Sequence, residues 1–169
     1  IHFDEVKNYY NTKDWKFTGD IQKDYFNNIH HLIQNFKKMK YLDIGLWEKK
    51  DTLKFYKQTN PTCVSQSLIS NMFGDNYYEV HVDTIKNIMD NNGHQTIDLL
   101  KLDIEGAEVK VLEQMLNDKI YPKFLCVEFD LFINKKDVNN STKKVIDRLL
   151  EEGYEILVNE TMNITFKFK

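Results

Sequence analysis

The segment from Ile97 to Leu116 constrains this chain most, because there an apolar run ends abruptly on two acids and a glycine and restarts with a different period. Ile97–Leu102 is nearly continuous apolar with Lys101 inside it, which reads as a strand buried on both faces. Asp103-Ile104-Glu105-Gly106 follows. From Ala107 to Leu116 the apolar positions Val109, Leu112, Met115 and Leu116 fall on one side of a helix. A buried strand that runs through a short acidic turn into an amphipathic helix is half of a βαβ unit. It needs a parallel neighbour, and Phe124–Phe129 is the next buried strand in the chain.

The remaining patterns extend this α/β reading. Ile21, Tyr25, Ile29, Leu32, Ile33 and Phe36 lie on one helical face, so a helix is expected from Gln22 to Lys37. Tyr41–Trp47 and Leu53–Tyr56 read as strands across the polar turn Glu48–Asp51. The stretch from Lys57 to Tyr77, with Pro61 and Gly74, reads as irregular. Val80–Asp83 reads as a short strand and Thr84–Asn91 as a helix stopped by Asn92-Gly93. Ser141 caps a helix reaching about Glu152, with Gly153 as terminator. Tyr154–Val158 and Ile164–Phe168 form a closing hairpin around Asn159–Asn163. The expected architecture is one mostly parallel sheet with a C-terminal antiparallel hairpin lying beyond Phe124–Phe129.

Composition limits what such a sheet can serve. The 169 residues correspond to about one domain. Lys+Arg of 23 against Asp+Glu of 26 gives a net charge of -3, which lacks the basic footprint of a nucleic-acid binder. Apolar runs stop far short of the ~20 residues of a membrane helix, and no signal peptide is present, so an intracellular, soluble protein is expected. Cys63 and Cys126 are too few for a metal quartet or a disulfide framework and read as free, packed thiols. The chain starts at Ile1 rather than methionine, so a single domain over residues 1–169, incomplete at its N-terminus, is the expectation.

In open α/β sheets ligands lie at the carboxyl ends of strands, which singles out Asp103 with Glu105 beside it. Carboxylates there can take a hydroxyl proton, bind a divalent cation or position a cationic ligand. They can equally cap the following helix through its free backbone N–H groups. Spacing leaves these open. Glu128 interrupts a buried strand, so it must be paired or stand near the strand's mouth.

The block Ile97-Asp98-Leu99-Leu100-Lys101-Leu102-Asp103-Ile104-Glu105-Gly106-Ala107-Glu108 resembles the most characteristic block of the FkbM-type methyltransferases, which use S-adenosylmethionine (SAM). Ile44–Tyr56, Asn60-Pro61, Val64–Leu68, the Val80–Asp83 strand with its helix, and Leu125–Phe129 are similar in the family's order. The resemblance implies a Rossmann-like methyltransferase sheet whose fourth strand ends at Asp103, facing SAM and the acceptor. It implies methyl transfer to a hydroxyl of a small molecule, sugar or glycan. Asp103 and Glu105 are then the catalytic candidates, and Asp103 could also face SAM or hold a divalent metal. Asp20 falls where an acid meets the ribose, and Gly45-Leu46 where a strand meets the adenine. The residue-level alternatives are a helix cap at Asp20 and a glycine bulge at Gly45.

One departure bears on the cofactor. The six glycines, at positions 19, 45, 74, 93, 106 and 153, form no G-x-G, so the glycine-rich SAM turn and the first strand of the family sheet are not found in this sequence. The competing expectation is a non-catalytic, degenerate Rossmann-like module within a larger glycan-modifying protein.

Overall fold

The computed structural model describes residues 23–24, 27–29, 38–60, 63–70, 72–133 and 137–169. The chain divides into two compact units, Ile1–Asp43 with Gln58–Val64, and Ile44–Lys57 with Ser65–Lys169. In the first unit residues 23–24 and 27–29 are helical; the rest of the expected Gln22–Lys37 helix, and Asp20, lie outside the described residues.

The second unit is a mixed α/β assembly with two four-stranded sheets. The first sheet comprises β1 (Gly45–Leu46), β2 (Asp51–Lys57), β3 (Gln66–Ser67) and β4 (Tyr77–Asp83), in the order β1-β4-β2-β3. Only β1 and β4 run parallel; β2 is antiparallel to β4 and to β3. Helix α1 (Ile85–Asn92) leaves β4 through a Thr84 N-cap, whose side chain accepts from Asn87 N, and stops at Gly93 in the left-handed region, as the Asn-Gly signal required.

The second sheet comprises β5 (Leu99–Leu102), β6 (Phe124–Glu128), β7 (Tyr154–Glu160) and β8 (Asn163–Phe168), in the order β5-β6-β8-β7. β5 and β6 are parallel neighbours, joined through α2 (Glu108–Asn117). The hairpin lies beyond β6, with β8 between β6 and β7 and antiparallel to both. Between β6 and the hairpin come the short helix α3 (Asp130–Ile133) and α4 (Ser141–Glu151).

Several expectations need correcting. Antiparallel pairing dominates both sheets, so the arrangement is not one mostly parallel sheet. Residues 57–77 contain β3 and the start of β4 rather than only irregular chain, because Tyr77 and Tyr78 pair with Tyr56 and Phe55. The Tyr41–Trp47 strand contracts to Gly45–Leu46. β5 is not buried on both faces. It is an edge strand among the described residues, with Leu100 and Leu102 turned inward and Leu99 60% exposed, so the Lys101 interruption marked an outer face. Ser141 is the first residue of α4 rather than its cap, and its hydroxyl donates to Asp137 Oδ1 at 2.5 Å. Gly45 makes regular parallel pairing opposite Val82, not a bulge.

One apolar core unites the second sheet with its helices. Leu102 of β5, Leu125 and Val127 of β6, Ile164 and Phe166 of β8 bury against Val111, Leu112, Met115 and Leu116 of α2 and Val145 and Leu149 of α4. Each fully buried aliphatic side chain contributes roughly 1.5–3 kcal/mol. A smaller cluster of Trp47, Val82 and Ala107, with Leu53, Leu68, Ile69 and Ile104 against it, ties the first sheet to the turn after β5.

Candidate active site

The chain leaves β5 at Leu102 and enters α2 at Glu108, so residues 103–107 form the turn that the sequence singled out. This turn is bent by backbone geometry that L-residues seldom adopt. Glu105 has φ +54° and Gly106 has φ +102°. A Cβ at Gly106 would lie 3.2 Å from Leu131 Cδ2 and 3.3 Å from Ile69 Cγ1, so glycine is needed for space as well as conformation.

Two buried side chains hold the turn. Glu108, only 1% exposed, accepts from Ile104 N at 3.1 Å and Gly106 N at 3.0 Å through the same oxygen. Ser67 of β3, fully buried, donates to the Glu105 carbonyl at 2.5 Å and accepts from Ile69 N at 2.9 Å. The N-cap position of α2 is Ala107, which gives no side-chain cap. The N–H groups of the turn therefore go to Glu108, and the capping role weighed for Asp103 and Glu105 falls to this third acid. Glu108 lies three, four, seven and eight residues before Val111, Leu112, Met115 and Leu116, which places it on the buried stripe of α2. An acid on an apolar stripe must be paired. That was the signal in the sequence that could have found it.

Asp103 itself is exposed at the end of β5. Its Oδ2 lies 2.6 Å from Lys101 Nζ, because residues two apart on a strand share a face. The carboxylate beside Lys101 holds that ammonium above its ordinary range. Glu105 is half-buried. Glu128, at the end of β6, and Asp130, the first residue of α3, complete an acidic neighbourhood. Asp130 is 7% exposed; burial first, then the charges of Glu108, Glu105, Glu128 and Asp103, push its carboxyl up to about 7. Glu108 is also pushed up by burial, against the opposing pull of its backbone N–H donors.

The segment after β1 also reaches α2 itself. Glu48 Oε1 lies 3.0 Å from Lys110 Nζ, which also sits 5.2 Å from the Trp47 ring. Gly45 and Leu46 are half-buried in β1, and a Cβ at Gly45 would come 3.1 Å from Val82 Cγ1. Close packing in the sheet is thus enough to require this glycine. Asp103, Glu105 and Glu108 lie in and beside the turn after β5, and Glu128 and Asp130 at the end of β6, the parallel neighbour of β5; Gly45 and Leu46 lie in the first sheet, and Asp20 lies outside the described residues.

Neither a metal nor a nucleotide cradle is built from these groups. Among the described residues no group of three or more His, Cys, Asp or Glu side chains could hold a metal ion. Of the described glycines only Gly106 stands in a strand-to-helix turn, and Leu131 and Ile69 close over it. The described residues therefore do not supply the open glycine turn that receives the methionine part of SAM. What they do supply is a fixed, acidic strand end able to accept a proton. Cys126 receives a hydrogen bond from Thr165 Oγ1 at 3.7 Å, and both cysteines are half-buried and in no disulfide. No described helix is long and apolar enough to cross a membrane.

A family model described as "Methyltransferase FkbM domain" matches residues 20–156, which include β1 to β6, the 103–107 turn and the acids around it. No curated protein and no solved structure matches the chain.

Proposed function

The chain belongs to the FkbM methyltransferase family, and we propose that it contributes the acceptor side of a SAM-dependent transfer of a methyl group to a hydroxyl, on a sugar or glycan. The observation that carries this reading is the turn at the carboxyl end of β5, where a strained backbone anchored by Ser67 and Glu108 presents Asp103 to solvent. The parallel β5–β6 pair, with β8 set antiparallel between β6 and β7, supports a Rossmann-like methyltransferase sheet.

SAM carries an activated methyl group, so the protein's part is to orient the acceptor and remove its proton. Asp103 is the group in reach of solvent that can accept the hydroxyl proton. Glu105 adds negative charge beside it, which favours a polar, hydroxyl-rich acceptor over an anionic one.

The lack of an open glycine turn among the described residues supports one rival, a degenerate module that keeps the fold without binding SAM. Isothermal titration of the protein with S-adenosylhomocysteine separates the two. Saturable binding supports the methyltransferase reading. No binding supports the rival.

A further inference from the structure

We propose that Ser67 is a positioning residue: its buried hydroxyl, acting with Glu108, locks the peptide unit between Glu105 and Gly106 in one of two orientations and so fixes how Glu105 is presented beside Asp103. The consequence for methyl transfer rests on the function proposed above, whereas the lock does not.

That peptide unit is held at both of its polar ends by side chains from different elements. Its carbonyl, on Glu105, accepts from Ser67 Oγ of β3 at 2.5 Å, and its N–H, on Gly106, donates to Glu108 Oε1 of α2 at 3.0 Å. Ser67 is fully buried and Glu108 is 1% exposed, so water does not stand in for either partner. The direction of the Ser67 bond is also fixed. Ile69 N donates to the hydroxyl oxygen at 2.9 Å and a carbonyl can only accept, so the single hydroxyl proton points at Glu105.

The backbone of the turn does not make this choice by itself. A planar peptide rotates as a unit about the bonds that flank it, here by changing ψ of Glu105 and φ of Gly106. Gly106 has φ +102°, and glycine, lacking a Cβ, populates negative φ about as readily. Rotated by half a turn, the unit would set the Glu105 carbonyl oxygen against the Glu108 oxygen, acceptor against acceptor, and both present bonds would be lost. Unmade bonds at buried groups are costly, so the two side chains select one orientation. Packing adds to the selection, because the Ile69 backbone is tied to Ser67 while its side chain lies, with that of Leu131, against Gly106.

The two side chains divide the work. Glu108 Oε1 also accepts from Ile104 N at 3.1 Å, so Glu108 holds the peptide that follows Asp103 as well as the one that follows Glu105. Ser67 holds the second alone. Glu105, at φ +54°, is thus fixed between two anchored peptides in a region that a non-glycine residue occupies at a cost. Ser67 stands opposite Tyr56 in the β2–β3 pairing, so the first sheet sets one half of the lock and α2 the other.

The test is amide NMR of the wild type, Ser67→Ala and Ser67→Cys, with methyl transfer measured on the same proteins. Ala removes the hydroxyl without adding bulk; Cys keeps the volume with a weaker donor. In the wild type the Gly106 and Ile104 amide protons are expected downfield, as donors to one carboxyl oxygen. In Ser67→Ala the Gly106 signal is expected to move upfield while that of Ile104 stays, with Ser67→Cys between wild type and Ala. A role in stability alone lowers the melting temperature and leaves native signals in place. A Gly106 signal at its wild-type position in Ser67→Ala, or Gly106 and Ile104 moving together, overturns the lock. Should Ser67→Ala fail to fold, Ser67→Cys is judged by the same two criteria. Methyl transfer by Ser67→Ala is expected to fall by up to about 10²-fold, the cost of a small misplacement at a reacting site. Wild-type turnover with a displaced Gly106 signal overturns the positioning role. A displaced signal in a protein whose wild type transfers no methyl group leaves the lock standing and counts against the function proposed above.

Discussion

The two ends of the parallel β5–β6 pair are built on opposite principles. Where these strands begin, Tyr121 stacks on Phe168 at 4.8 Å, and Tyr154 meets Phe168 edge-on at 5.1 Å while its hydroxyl donates to the Pro122 carbonyl at 3.0 Å. Burial pushes the Tyr154 phenol up, consistent with a neutral, dry clamp. Where the strands finish, Asp103, Glu105 and Glu108 follow β5, and Glu128 and Asp130 end β6 and begin α3, so five acids stand at one end of the parallel pair. Acids that repel one another and lose water cost stability, and such groups cluster where chemistry is done. One end holds the sheet together; the other holds a turn in a shape it would not choose alone.

Substitutions can break that division or sharpen it. Phe166→Ala, in the fully buried core beside the clamp, is expected to cost about 3–5 kcal/mol in urea unfolding. A folded variant with normal stability would show that the aromatic end is not where the stability lies. Gly106→Ala attacks the opposite end, where φ is +102° and Leu131 stands in the way. A loss of about 1–3 kcal/mol is expected there, from backbone strain. Its fall in methyl transfer should exceed anything that loss of folded protein explains. Tyr154→Phe keeps the rings and removes only the hydroxyl donor to Pro122, so about 0.5–1.5 kcal/mol should go, with no change in turnover. Equal effects of Gly106→Ala on stability and on rate would merge the two ends into one structural unit.

What the sequence disclosed follows the same divide. Strong local signals survived: Asn92-Gly93 stops α1, Gly153 with φ +108° follows α4, and β5 and β6 pair in parallel with the hairpin beyond them. The first sheet was harder to read because its pairings are nonlocal. Nothing in Tyr77-Tyr78 announces that these residues will face Tyr56 and Phe55 across a strand pair. Leu99 read as buried because an apolar residue inside an apolar run gives no sign that its strand will lie at an edge. At the site, Asp103 and Glu105 were visible from their place after a strand. The acid that holds the turn, Glu108, needed a closer look at the α2 stripe, and the buried place of Asp130 after β6 needed the third dimension. Ser67 could not be found from the sequence, since its bond to the Glu105 carbonyl joins residues 38 apart.

The measurement that bears most directly on the division is a paired one on Asp103→Asn in active protein, comparing melting temperature with methyl transfer. The exposed ion pair with Lys101 contributes about 0–1 kcal/mol, so the melting temperature should barely move. An amide cannot take the hydroxyl proton, and losing a general base costs about 10²–10⁴-fold in rate. A collapse of methyl transfer at unchanged melting temperature and unchanged SAM affinity is the expected result. Wild-type turnover in Asp103→Asn, together with unfolding of Asp103→Ala, would contradict it and make the end of β5 a structural element like the aromatic end.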